Sequence, residues 1–158
     1  MEPRIERINE RKLIGNCLLT SFANDKTYEL WSGFMPKRHQ INHQVGTVLY
    51  SLQEYDFSFD QFSPQREFVK WAAVEVSSFD NQPEHLKAYT LKEGLYAVFI
   101  HRGEASKAAA TFNYIFATWL PSSVYEVDNR AHFELLGEKY KNNHPDSEEE
   151  VWIPIRLK

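Results

Sequence analysis

Apolar and polar positions alternate along much of this chain, interrupted by two stretches where apolar residues recur every three to four positions. Residues 4–22 read as extended structure, with IERIN leading into KLIGNCLLTSF. The run Cys17-Leu18-Leu19 is too short for a helix, and Gly15 is expected to mark a bulge or bend. Asn24 or Asp25 is placed to cap a helix, with Glu29 in or near its first turn. The expected body is residues 26 to about 35, where Leu30, Trp31 and Phe34 fall on helical spacings. Pro36 and the basic run Lys37-Arg38-His39 end it. Strands are expected at 47–52 and 67–76, joined by the polar and aromatic EYDFSFDQFSPQ, which turns at Ser63-Pro64.

After a turn-rich break at 79–84 the order repeats. Residues 88–91 and 95–101 read as extended, and Glu104 or Ser106 is placed to cap an alanine-rich helix over about 107–119 that Pro121 closes. Residues 132–136 and 151–157 are the next strands. Each half therefore reads strand, helix, strand, strand. An offset of 85 lays Met35-Pro36 on Leu120-Pro121 and Leu30 on Ile115. An internal duplication within one domain, with halves at about 1–80 and 81–158, fits better than two unrelated domains, because each half has one helix to cover its sheet. The expected fold class is α+β, a duplicated βαββ arrangement.

Strand parity then singles out residues with chemistry. Glu134 stands among Phe133, Leu135 and Leu136, and on a strand it shares a face with Leu136 while Phe133 and Leu135 share the other. If a helix covers the Phe133 face, Glu134 points to the opposite face of the sheet. A sheet face open to water accounts for such a glutamate. The other strands favour a pocket: Trp71 shares a face with Ala73 and Glu75, Trp152 with Pro154, and Tyr50 with Val48, each opposite an aliphatic face, while core packing is the more common role of any single Trp. A carboxylate among aromatic rings is a receptor for apolar cations, each ring face contributing roughly 0.5–2 kcal/mol, and the same carboxylate can serve as a general base.

Composition narrows the partners. The chain has 158 residues, a net charge of −4 and 15% aromatic residues. A mildly acidic domain without a basic tail is not expected to bind nucleic acid through phosphate neutralisation. No apolar run approaches the roughly 20 residues of a membrane helix, and the charged N-terminus lacks the core of a signal peptide. With a single cysteine, Cys17, the expected setting is the cytoplasm. Nucleotide-binding, zincin and serine-hydrolase motifs are absent from the sequence. His39 and His43 have the spacing of a helical metal pair but follow the helix-ending Pro36, and Cys17 reads as an inert thiol in an apolar run. Glu148-Glu149-Glu150 reads as a solvated turn with Asp146. No metal or other cofactor is expected.

The segments LWSGFMPKR, PQREFVKWAAVEV, EGLYAVFIHRG, TWLPSSVYEVDNRAHFELLGEKY and EEVWIPI together resemble the GyrI-like domain family, also described as the effector-binding domain of bacterial transcription activators. The last two are the most specific. The resemblance implies a ligand cleft between two βαββ halves, with the glutamate of the aromatic-Glu step, here Glu134, contacting hydrophobic cations. It implies aromatic walls at Trp31, Tyr50, Trp71, Trp119 and Trp152. Many relatives carry a helix-turn-helix region before this domain, whereas here the first strand begins near Met1, so a stand-alone effector-binding protein is expected. The alternatives are a hydrolase of small electrophiles using Glu134 with Tyr96, Tyr114 or Tyr125, and a protein-interaction module of the gyrase-inhibitor kind. A homodimer or a regulatory protein partner stays open.

Overall fold

The computed structural model describes residues 1–58 and 61–158, so Phe59 and Asp60 of the aromatic connection lie outside the described residues. The extended N-terminal segment divides at Asn9-Glu10 into β1 (Arg4–Ile8) and β2 (Arg11–Thr20). Helix α1 (Thr27–Phe34) follows, then a 3-10 helix (Met35–Gln40), β3 (Gln44–Glu54) and β4 (Phe68–Val76). The second half holds β5 (Lys87–Leu91), β6 (Gly94–Arg102), α2 (Ala108–Tyr114), β7 (Tyr125–Val127), β8 (His132–Leu136) and β9 (Glu148–Leu157). The α2 segment runs on through a π-helical turn (Ile115–Trp119) and a last turn (Leu120–Ser122) that begins around Pro121.

Local signals explain most of these boundaries and correct some expectations. Asp25 Oδ1 accepts the backbone N–H of Thr27 at 3.0 Å and its hydroxyl at 2.6 Å, satisfying a first-turn donor of α1. At α2 neither Glu104 nor Ser106 caps the backbone; the Ser106 hydroxyl donates to Glu104 Oε2 instead. The expected bulge at Gly15 is absent, since β2 runs in unbroken register against β4 with Gly15 opposite Ala73. The glycine serves a close approach: a Cβ there would collide with the Ala72 carbonyl oxygen and lie 2.7 Å from the Ala73 Cα. The irregularity falls in β3 instead, between Gln44 and Leu49, where Gly46 adopts φ 69°. The expected solvated turn at Glu148-Glu149-Glu150 is the start of β9, pairing with Arg102, His101 and Ile100 of β6.

The strands form one antiparallel sheet in the order β1-β6-β9-β8-β3-β4-β2-β5, with β7 pairing beside β9. Read outward from the β8–β3 seam, the two sides match: β3-β4-β2 with α1 between β2 and β3, and β8-β9-β6 with α2 between β6 and β8. The fold is thus α+β, two βαββ halves with one main helix each. The lead-in strands are exchanged, because β1 pairs with β6 of the other half and β5 pairs with β2.

Three cores hold this sheet. Leu30 and Phe34 of α1 pack on Ile14, Ala72, Val74 and Val76. Ile115 and Leu120 pack on Ala97, Phe99, Val151, Ile153 and Ile155. The opposite face buries Tyr50, Trp71, Tyr96, Phe133 and Trp152 together with Ile8 and Leu91 from the two end strands. Residues from both ends of the strand order meet in one cluster, so the sheet curls into a half-barrel around it. Phe133 is its centre, with ring centroids 5.6 Å from Tyr50, 5.1 Å from Tyr96 and 5.2 Å from Trp152. Full burial of each such ring stabilises by roughly 1.5–3 kcal/mol.

Candidate functional site

A cleft of about 1560 Å³ opens on the helix-covered face, between α1 and α2, with the seam strands as its floor. Its floor carries Ser51 and Gln53 of β3, Glu134 of β8, Glu149 and Val151 of β9, and Lys70 of β4. Trp31 and the 81%-exposed Tyr28 come from α1, and Phe112 and Phe116 from the α2 side. Phe22, Phe62, Phe68 and Tyr55 close one end. Phe22 packs on Phe62 at 5.4 Å and on Phe68 at 5.3 Å, so this end is an aromatic wall.

The register fixes why Glu134 reaches the cleft. Glu134 pairs with Ser51 on one side and Val151 on the other, and Ser51 pairs with Ala72. Residues paired across strands share a face, so Glu134 lies with Ala72 and Val151 on the face the helices cover. Phe133 pairs with Leu52 and Trp152, and Leu52 with Trp71, which places those rings on the other face. The expected shared face for Glu134, Tyr50, Trp71 and Trp152 is therefore corrected. The faces within each strand read as expected, but β8 takes the opposite phase relative to its neighbours.

The predicted site residues separate accordingly. Glu134 and Trp31 meet in the cleft. Trp152 borders it, yet its ring stacks on Phe133 in the inner core and its Nε1 donates to Glu150 at 3.0 Å. Tyr50 stands in the inner core, its hydroxyl accepting from Arg11 at 2.8 Å and donating to Glu75 at 3.3 Å. Trp71 donates to Glu54 at 2.9 Å on that same side. Trp119 packs edge-on against Phe99 at 5.3 Å and stacks on the cleft-lining Tyr125, without lining the cleft itself. Of the three phenols considered for a hydrolase, Tyr125 lines the cleft. Tyr96 is buried with its hydroxyl donating to the Ala131 carbonyl, and Tyr114 donates to the Met1 carbonyl outside it.

Electrostatically the floor is a carboxylate pair beside one lysine. Burial pushes the Glu134 carboxyl up to about 7; Lys70 and a hydrogen bond from Gln53 oppose this, and Glu149 adds to it. Burial also holds Glu149 above the ordinary carboxylate range, against the pull of His101 and Lys70. The phenol of Tyr55 is raised by burial and by the nearby Glu134, that of Tyr140 by burial and by Glu149. His132 is buried and its basicity falls to about 3, through burial and the neighbouring Arg130, so its ring is neutral at physiological pH. Such a floor, under aromatic walls, can hold a positive guest out of water or draw a proton from one. Among the described residues no group of three or more metal-ligating side chains occurs, and no helix is long and apolar enough to cross a membrane.

Parity could have found two further floor residues. Lys70 lies two positions before Ala72 and four before Val74 on their aliphatic face, and Glu149 two before Val151 on its own. Phe112 and Phe116 carried the signal of i,i+4 spacing on one helix face.

A family model described as GyrI-like small molecule binding domain matches residues 1–156. The chain is 27% identical over 153 residues to the transcriptional regulator BrlR of Pseudomonas aeruginosa, covering 94% of this chain and 54% of that protein, so it spans about half the length of that relative. It also superimposes on the structure of SAV2435 bound to tetraphenylphosphonium, with a TM-score of 0.67 and 16% identity over 99% of this chain and 94% of that one. A hydrolase encoded by lin2189 from Listeria innocua gives a TM-score of 0.65 and 13% identity, covering 98% of this chain and 92% of that one.

Proposed function

The chain belongs to the GyrI-like small molecule binding domain family, and from that premise we propose that its cleft binds hydrophobic cations, with Glu134 as the charge anchor. The observation that carries this reading is a carboxylate at the foot of a large aromatic cleft, desolvated enough to titrate near 7. A lipophilic cation offers that carboxylate a charge partner in addition to its hydrogen bond from Gln53, and the guest's organic groups replace water against Trp31, Phe112 and Phe116. SAV2435, bound to a cation of this kind, shares the fold, which supports the reading. The walls of this proposal are Trp31, Tyr28, Phe112 and Phe116, in place of Tyr50, Trp71 and Trp119.

Titration with tetraphenylphosphonium at pH 8.5, by calorimetry on the wild type and on Glu134→Gln, tests it. The variant is expected to bind at least about tenfold more weakly, the scale of one lost charge interaction in partly desolvated surroundings. Equal affinities would remove Glu134 from the site. A second reading draws on the same carboxyl: titrating near 7, it is suited to general-base work, and the Listeria hydrolase shares the fold. Turnover of a small-electrophile panel that vanishes in Glu134→Gln would favour hydrolysis over binding alone.

A further inference from the structure

Resting on the reading that the cleft takes lipophilic cations, we propose that Lys70 is a built-in counter-cation that weighs against a second positive charge on a guest. Lys70 projects from β4 on the helix-covered face, opposite Gln53 of β3, and lines the same cleft as Glu134 and Glu149. Its Nζ donates to Thr27 Oγ1 at 2.8 Å, and the Thr27 hydroxyl donates in turn to Asp25 Oδ1 at 2.6 Å. The ammonium is thus held toward the start of α1. Its field still reaches three carboxyls, lowering the proton affinity of Asp25, Glu134 and Glu149 alike. Among the described residues no ion pair joins Lys70 to Glu134 or Glu149. The two floor glutamates therefore feel a tethered cation without being covered by it.

At the floor, ionised Glu134 and Glu149 stand beside the one ammonium of Lys70, while Asp25, Glu126 and Lys158 also line the cleft. Every positive charge on a guest meets the Lys70 ammonium in partly desolvated surroundings, where each unit repulsion weighs more than in water. Lys70 thus repels the guest directly, once for a monocation and twice for a dication. Replacing it with a neutral side chain tightens both guests and tightens the dication more.

The test compares two aryl-phosphonium probes at pH 9, tetraphenylphosphonium and p-xylylene-bis(triphenylphosphonium), on the whole chain by calorimetry. Lys70→Met is expected to shift the affinity ratio toward the dication by roughly tenfold, the size of one added unit-charge repulsion across several ångströms. Lys70→Gln, which keeps a donor for Thr27, is expected to shift it in the same direction and serves if the Met variant fails to fold. Lys70→Arg retains the charge and is expected to keep the wild-type ratio within about twofold. An unchanged ratio in both neutral variants, or an equal shift in Lys70→Arg, would overturn the role of Lys70 while Glu134-dependent binding of the monocation stood. No detectable binding of tetraphenylphosphonium by the wild type would instead overturn the cation-binding reading, and the role of Lys70 with it.

Discussion

Ionised Glu134 destabilises the folded chain. Its carboxyl titrates near 7 in the fold against an ordinary 4.5, so the folded chain holds the proton to a higher pH than the unfolded chain does. The stability that comes with the neutral form is fully present below about pH 4.5 and is lost as pH rises through 7. The whole shift is worth at most about 3 kcal/mol, and the partial exposure of the side chain reduces that. Glu134→Gln removes the charge but keeps the shape. It is therefore expected to raise Tm at pH 8, by roughly 2–4 °C for each kcal/mol relieved, and to leave it unchanged near pH 4.5. Calorimetric melting at the two pH values checks this; a variant that melts below wild type at pH 8 would mean the carboxylate is stabilised where it stands. Glu134 was legible in the sequence because a lone carboxylate interrupts an apolar strand. Lys70 and Glu149 carried only a parity signal: Lys70 stands inside β4 on its aliphatic face, and Glu149 sits in an acidic run of the kind that usually marks a solvated turn.

Among the elements, both helices and most strands followed from periodicity, whereas β7, the division of residues 4–22 into β1 and β2, and the phase of β8 did not. His132–Leu136 carries apolar residues on both faces, Phe133 and Leu135 on one and Leu136 on the other, so no pattern within five residues says which face meets the helices. Register with β3 and β9 decides it, and register is a property of pairing. The π-helical turn after α2 was equally hidden: alanine-rich sequence fits an α-helix throughout, and the extra residue per turn is set by how Ile115 and Leu120 seat on the sheet. Gly15 was noticed for the wrong consequence. Its missing Cβ lets β2 lie against Ala72 and Ala73, where both contacts are backbone or backbone-anchored and cannot swing aside. Gly15→Ala is expected to lose more than about 3 kcal/mol or to fail to fold, a size seen when overpacking strains a buried strand pair. Urea unfolding measures it, and a loss below about 1 kcal/mol would mean that β2 shifts at little cost.

The exchange of lead-in strands ties the molecule together beyond what a repeat in the sequence implies. Each half completes the other's outer edge, β1 on β6 and β5 on β2, and the inner core takes Leu13, Tyr50, Leu52 and Trp71 from one half and Tyr96, Phe133 and Trp152 from the other. The cleft repeats this division, with Trp31 and Lys70 on one side of the seam and Glu134 and Phe116 on the other. Cutting between Asp80 and Asn81, in the turn after β4, severs no strand. Even so, residues 81–158 alone keep β6 without its β1 partner, β8 without β3, and the Phe133 cluster half exposed. With half of that cluster exposed and two strands unpaired, such a fragment buries too little apolar surface to offset its chain entropy. Each fragment alone is expected to give a disordered circular-dichroism spectrum with no cooperative melt. Mixed, they are expected to regain strand signal and, because the site spans the seam, to bind tetraphenylphosphonium only together. A cooperative melt from either fragment alone would show that a half is a folding unit, and the cleft would then be an interface between two stable bodies instead of part of one core.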